Sequence, residues 1–306
     1  MTTSPFTKGI AAALIGGLLA ATSVPALAED ILVTHAQGET SVPVNPAKVI
    51  TFDLATIDTL DALGVEIAGL PGTNLPEYLS KYGEDKYLKV GSLFEPDYEA
   101  VAAAAPDLII VAGRSSAAYP ELAKIAPTID LSNDWTKFEA SIRANSEILG
   151  QIFSKQDEIK ALETKLDESI ATAKAKAPEA GTALVILTNA GEVTAFGPGS
   201  RFGWLYDTLG LKAAASSAEA GAHGDAVSFE YILEANPDWL FVIDRDAATG
   251  GAEAAKQVLD NELVGQTNAW KNGHVVYLDP VRTYIINGGL PAFTLLVDQV
   301  AHALGK

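Results

Sequence analysis

The sequence predicts an α/β fold: two lobes with a ligand cleft between them, joined by one long backbone helix. Three observations predict it. Short β-rich runs alternate with helical stretches in both halves of the chain. A helical segment of about 22 residues, carrying one apolar stripe, separates the halves. One unit, Glu-x6-Pro-Asp followed by an apolar run and an arginine, occurs once in each half.

The chain opens on a basic Lys8, the apolar run "GIAAALIGGLLAATSV" and the small residues "ALA" at 26–28. That order is a secretory signal with cleavage expected after Ala28, since the run is short of the ~20 residues that span a bilayer. No cysteine follows the run, so no lipid anchor is expected. Removing residues 1–28 leaves 278 of the 306 and takes away Lys8 alone, which moves the net charge from −18 to −19. A chain this acidic does not suit nucleic acid or anionic membrane. An anionic small ligand stays open, because screening hides charges beyond ~8 Å and a local arginine cluster governs its own pocket. There is no cysteine to staple the fold, so the core must hold it.

The N-terminal lobe is expected over 29–154. "KVITFDLATIDTLDALGV" at 48–65 reads as strand, turn and helix. "YLKVGSLFEPDYEAVAAAAPDLIIVAGR" at 87–114 reads as strand, loop, helix and strand, and "APTIDL" at 126–131 as a further strand. Such alternation implies parallel strands in βα units and a Rossmann-like lobe. "DWTKFEASIRANSEIL" then reads as a helix stopping at Gly150. "SKQD" at 154–157 has the form of a capping box with Ser154 as N-cap. The connecting helix is expected over 155–177, with Ile159, Leu162, Leu166, Ile170 and Ala173 on one stripe and Pro178 ending it.

The C-terminal lobe, 178–306, restarts the pattern. "ALVILTN" and "EVTAFG" read as strands and "RFGWLYDTLGL" as a helix. "VSFEYILEANPDWLFVIDR" at 227–245 repeats the earlier plan, "GHVVYLD" is a strand, and "PAFTLLVDQVAHALG" a closing helix. Glu99 and Glu230 each lie seven residues before the Pro of Pro-Asp, and Arg114 and Arg245 each lie eight beyond it. A helix, a tight turn and a buried strand would place both arginines just past strand carboxyl ends, where open α/β sheets bind ligands.

The chain has only five arginines against 39 acids, so their placement carries information. A third, Arg201, sits among glycines in "FGPGSRFGW". The run approaches a dinucleotide fingerprint, but Gly203 falls one residue too late for G-x-G-x-x-G. Three planar guanidinium forks facing one cleft suit a ligand with several anionic oxygens. His223 sits between glycines in "GAHGDAVSFEY", and Tyr284 follows the Asp279-Pro280 turn. Taken alone, one reads as a loop histidine and the other as a packing tyrosine. His35, His274 and His302 are scattered and show no metal-site spacing.

Taken in order, "VAGRSS", "PGSRFG", "HGDAVSFEY", "FVIDRD" and "LDPVRTY" carry a resemblance over the whole mature chain. It resembles the iron–siderophore-binding proteins of ABC uptake systems, two-lobed periplasmic binding proteins, in the branch that takes ferric bis-catecholate and petrobactin-like ligands. The resemblance implies that Arg114, Arg201 and Arg245 bind catecholate oxygens. It also implies that His223 and Tyr284 complete the iron's coordination when a tetradentate siderophore supplies four donors, since ferric iron prefers six ligands. It further implies no intrinsic cofactor, no catalysis, a monomer in the periplasm, and delivery to an ABC permease dimer docked through Glu99 and Glu230. Glu95, in "FEPDYE", is the rival docking acid in the first lobe. Arg282, beside Tyr284, either contacts the ligand or points to solvent.

The same architecture could instead hold haem, a cobalamin or a hydroxamate siderophore. A secreted hydrolase is a different class, but no G-x-S-x-G elbow, acid pair or metal cluster is present. A metal chelatase would need only His and acids; export and paired docking glutamates speak against it.

Overall fold

The computed structural model describes residues 1–3, 30–215, 223–252 and 254–306. Apart from its first three residues, the expected export segment lies outside these.

The first lobe's sheet contains β3 (Val49–Thr51), β4 (Gly69–Leu70), β5 (Leu88–Lys89), β6 (Leu108–Val111) and β7 (Thr128–Asp130), all parallel. Their spatial order is β5-β4-β3-β6-β7. Counted from the lobe's own first strand this is 3-2-1-4-5, a Rossmann half-sheet whose order reverses between β3 and β6. The loops leaving those two strands diverge and open a crevice. A hairpin of β1 (Asp30–His35) and β2 (Gly38–Pro43), not foreseen from the sequence, precedes the sheet. It is fixed to β7 by Ala36 N donating to Asp130 O at 3.1 Å and Thr40 Oγ1 to Thr128 O at 3.0 Å.

The second sheet is not wholly parallel. It contains β8 (Thr182–Asn189), β9 (Glu192–Phe196), β10 (Lys212–Ala213), β11 (Asp225–Val227), β12 (Trp239–Asp244) and β13 (Val275–Tyr277), in the order β11-β9-β8-β12-β13 with β10 beside β8. β10, β12 and β13 run parallel to β8, whereas β9 is antiparallel to both β8 and β11. The cause is local: Ala190 and Gly191 both take positive φ, 50° and 87°, and close a two-residue hairpin.

The repeated unit has a structural reason in both lobes. Helices Tyr98–Ala104 and Phe229–Ala235 start on the N-caps Asp97 and Ser228 and end on left-handed residues, Ala105 and Asn236. Proline follows each, and the aspartate then caps the neighbouring strand. Asp107 Oδ2 accepts from Lys48 N at 2.8 Å, and Asp238 Oδ2 from Thr182 N at 2.8 Å. That locks the register of β6 on β3 and of β12 on β8, so each buried strand ends just before its arginine.

Between the sheets, helix Gln156–Lys176 spans roughly 31 Å. Ile159, Leu166, Ile170 and Ala173 of its stripe are buried and Leu162 is partly so. Two expectations at its start need correction. The preceding helix passes Gly150 and ends at Ile152; a Cβ at Gly150 would meet Ile159 at 3.0 Å, so the glycine allows two helices to cross closely. Ser154 is not the N-cap. It takes φ 53° and turns the chain after the first helix, with Lys155 N bonded to Gly150 O at 2.8 Å.

The largest core cluster runs without a break from the first lobe to the last helix, Leu290–Ala303. An aromatic column crosses between the lobes: Trp135 to Phe138 (5.6 Å), Phe138 to Phe293 (5.5 Å) and Phe293 to Trp204 (5.2 Å).

Candidate functional site

The crevice at the β3/β6 reversal is one wall of a cavity of about 310 Å³. Phe52, Asp53 and Leu54 come from the end of β3, and Ala112, Gly113 and Arg114 from the end of β6. Leu93, Asn133 and Trp135 complete the first lobe's side, while Arg201, His223, Ile286 and Asn287 face them from the second. Larger hollows lie elsewhere, one of about 550 Å³ between helices Gln156–Lys176 and Leu290–Ala303, one of about 710 Å³ at Pro76–Tyr78 and Asp279–Arg282, and one of about 460 Å³ at Gly191–Val193 and Ala226–Glu230. None of them gathers more than one arginine.

The three arginines of the sequence reading converge on Tyr284, which sits in a wide helical turn, Val281–Ile286. Their Cζ atoms lie 5.5 Å (Arg114), 4.6 Å (Arg201) and 5.6 Å (Arg245) from the centre of its ring. Arg114 donates to Tyr284 O at 2.7 Å and Ile285 O at 3.2 Å; Arg201 donates to the same Tyr284 carbonyl at 2.7 Å. Arg245 donates from Nε to the phenol oxygen at 2.8 Å and from Nη1 to Asn189. Arg114, Arg201 and His223 line the cavity itself, whereas Arg245 and Tyr284 stand next to its lining.

Each arginine has a local support. Arg114 follows Gly113, whose N donates to Ser132 Oγ at 2.8 Å. Ser132 is held in turn by the buried Asp130, which also accepts from Gln37 Nε2 at 3.0 Å and from Ser116. Arg201 is half-buried. It stacks over Trp135 (5.9 Å) and Phe202 (5.0 Å). The Asn287 amide, in the orientation that satisfies both its ends, accepts from Arg201 Nε at 3.1 Å and donates to Thr283 O at 3.2 Å.

This concentration of positive charge is costly without an anion. Burial, then the charge of Arg114, pushes Arg201 down to about 10, and burial likewise lowers Arg114. Tyr284 is shifted the other way from an ordinary buried phenol. Burial alone would raise it, but the Arg245 hydrogen bond and the charges of Arg201, Arg245 and Arg114 outweigh that and favour phenolate. The acid in the wall, Asp53, caps helix Leu54–Ala62 by accepting from Thr56 N and Oγ1 at 2.9 and 2.8 Å. Burial raises its carboxyl against the pull of those bonds and of Arg114.

His223 is exposed on the cavity wall; residues 216–222 before it lie outside the described residues. Glu99 and Glu230 are both exposed, in the first turns of the two equivalent helices, and Glu95 is exposed nearby. Arg282 neither lines the cavity nor points freely to solvent. It pairs with Asp279 and lies 5.0 Å above the Tyr78 ring of the other lobe. Sequence reasoning missed Asp53, Asn133, Trp135 and Asn287. The strand-turn-helix at 48–65 could have pointed to Asp53, since its turn leaves a central strand. Among the described residues no three histidine, aspartate or glutamate side chains gather in metal-binding range.

The profile of the periplasmic binding protein family matches residues 49–281. The chain is 46% identical to the petrobactin-binding protein YclQ of Bacillus subtilis, covering 91% of this chain and 89% of that one. The YclQ crystal structure superposes with a TM-score of 0.88 over 91% of this chain and 99% of that structure. This chain is 34% identical to the ferric-anguibactin-binding protein FatB of Vibrio anguillarum, over 88% of this chain and 86% of that one. The periplasmic catecholate-siderophore-binding protein VctP of Vibrio cholerae, 34% identical, superposes with a TM-score of 0.82 over 89% and 99%. With its reversed-order sheet, two facing lobes and spanning helix, the chain belongs to the periplasmic binding protein family.

Proposed function

We propose that the protein captures a ferric catecholate siderophore, of the tetradentate bis-catecholate or petrobactin-like class, and delivers it to an ABC permease outside the cytoplasmic membrane. The observation that carries this reading is the convergence of three guanidiniums on one phenol at the inter-lobe cavity, with an imidazole in its wall. Relatives named for petrobactin and catecholate ligands support it.

Two catecholates around Fe(III) supply four oxygens and carry a net charge of −1. Arg114, Arg201 and Arg245 would take the anionic oxygens by charge-assisted bonds, relieving their mutual repulsion. Two coordination positions stay open, for His223 and Tyr284. The pull of three cations toward phenolate suits Tyr284 to a hard ferric ion. Its hydroxyl must then exchange Arg245 for iron, or share the two.

The continuous core and the aromatic column limit closure to small movements. Glu99 and Glu230, one exposed acid per lobe at equivalent positions, would meet basic residues of a permease dimer, with the binding protein acting as a monomer and a carrier rather than an enzyme. No helix among the described residues is long and apolar enough to cross a membrane. Native mass spectrometry after incubation with ferric bis-catecholate, a ferric hydroxamate and haem tests the reading. One ferric bis-catecholate per chain is expected; retention of haem or the hydroxamate alone would refute it.

A further inference from the structure

Asn287 ends the wide helical turn that carries Tyr284, in the left-handed conformation at φ 43°, a region that asparagine enters more readily than most residues. Its N donates at 2.9 Å to Arg282 O, five residues back. That wide closure leaves the last carbonyls of the turn, Tyr284 and Ile285, without a main-chain N–H among the described residues. Side chains take its place: Arg114 donates to both, and Arg201 to Tyr284 O.

The buried Asn287 amide completes this arrangement. It lies between Nε of Arg201, which can only donate, and Thr283 O, which can only accept. Its oxygen therefore accepts from Arg201 Nε at 3.1 Å, and its nitrogen donates to Thr283 O at 3.2 Å. Nε and Nη2 form one edge of the guanidinium fork. Asn287 and Tyr284 O between them hold that edge, and two bonds on one edge fix the plane of the group. Nη1 donates to no acceptor among the described residues, and Arg201 lines the cavity. Held by the Tyr284 carbonyl alone, the fork could pivot, and the charges of Arg114 and Arg245 would drive it away from them. The residue that holds it is neutral, so it orients the cation without cancelling its charge.

We propose that Asn287 is a positioning residue for ligand capture: by accepting from Nε it fixes the Arg201 guanidinium against the Tyr284 carbonyl and leaves Nη1, with the full positive charge, for an anionic oxygen of the siderophore. This rests on the siderophore reading above. Asn287 acts through Arg201.

The test is a double-mutant cycle on ferric bis-catecholate binding, followed by isothermal titration. Asn287→Gly keeps the left-handed φ and removes the amide. It should weaken binding about tenfold, the size of one hydrogen bond to a charged group. In an Arg201→Lys background, which lacks the planar fork, the same change should alter affinity by less than about twofold. Asn287→Asp keeps an acceptor for Nε but sets a carboxylate beside the guanidinium; it should bind more weakly than Asn287→Gly, and it decides alone should the glycine variant not fold. Equal weakening by Asn287→Gly in both backgrounds would mean that the amide serves the turn or the ligand directly, and would overturn the proposal. Asn287→Asp binding as tightly as wild type would overturn it too. Wild type failing to bind the complex would overturn the siderophore reading and this inference with it; the other two outcomes overturn this inference alone.

Discussion

The phenol oxygen of Tyr284 lies 2.8 Å from Nε of Arg245, while the carbonyl of the same residue accepts from both Arg114 and Arg201 at 2.7 Å. One residue of the second lobe thus organises arginines from both. Replacing Tyr284 by Phe keeps the carbonyl contacts and the ring while removing the oxygen. The visible charge-transfer band of the bound ferric bis-catecholate should then move toward that of the free complex, with affinity falling about tenfold. A band identical to that of the wild-type complex would take the phenol out of the iron shell.

Arg201 stacks on three aromatic rings and donates to a main-chain carbonyl, all through a planar fork. Lysine cannot reproduce that geometry. Arg201→Lys should therefore weaken ferric bis-catecholate binding about 10- to 100-fold, as measured by isothermal titration. Arg201→Met should weaken it further and yet raise the melting temperature of the ligand-free protein by about 2 °C, because one of three mutually repelling half-buried cations is gone. A lower melting temperature in Arg201→Met would show that the arginine stabilises the empty fold.

Trp135 lines the cavity and lies 5.9 Å from Arg201, whereas Trp204 stands behind it, buried against Phe293. Fluorescence quenching by a bound ferric complex should be carried mainly by Trp135. Trp135→Phe should lose most of the quench while binding, followed by calorimetry, stays within about tenfold. An undiminished quench would place the chromophore elsewhere.

A pH effect is expected at the lobe junction, away from the cavity. Asp58 is buried; it accepts from Tyr78 at 2.5 Å and from Ala292 N at 2.9 Å, and so caps the last helix from the other lobe. Arg282 and Asp61 act on it by charge. Burial, opposed by these bonds, raises its carboxyl to about 6. The folded state then binds more protons than the unfolded chain between about pH 4 and 6. Its contribution is fully present below about pH 4, declines through that window and is flat above it. The change is about 3 kcal/mol at 1.36 kcal/mol per pKa unit. Asp58→Asn keeps an acceptor for Ala292 and removes the proton. The gap in urea-unfolding free energy between wild type and variant should shift by about that amount from pH 4 to pH 7. A constant gap would contradict the buried, protonatable carboxyl.

How much of this was legible in the sequence follows from range. The unit linking Glu99 to Arg114 and Glu230 to Arg245 is local, because its caps, left-handed turn and strand-capping aspartate all act within a few residues. It could therefore be read directly, and it located two arginines correctly past strand ends. Ser154 misled because a serine before an acidic turn looks like an N-cap, while here the close crossing of two helices sets its φ. Asp53, Asn133, Trp135 and Asn287 share a wall only because the strand order reverses between β3 and β6, and topology of that kind is not written in any one segment. The burial of Arg201 and the pairing of Arg282 across to Tyr78 likewise depend on the second lobe meeting the first.

The central claim is that cations of both lobes hold an anionic chelate whose iron is finished by an imidazole and a phenol. Anomalous diffraction at the iron edge, from crystals grown with ferric bis-catecholate, addresses it most directly. The account predicts one iron peak in the inter-lobe cavity, within bonding distance of His223 and Tyr284 and ringed by Arg114, Arg201 and Arg245. An iron peak outside that cavity, or one in it with neither side chain in reach, would contradict it.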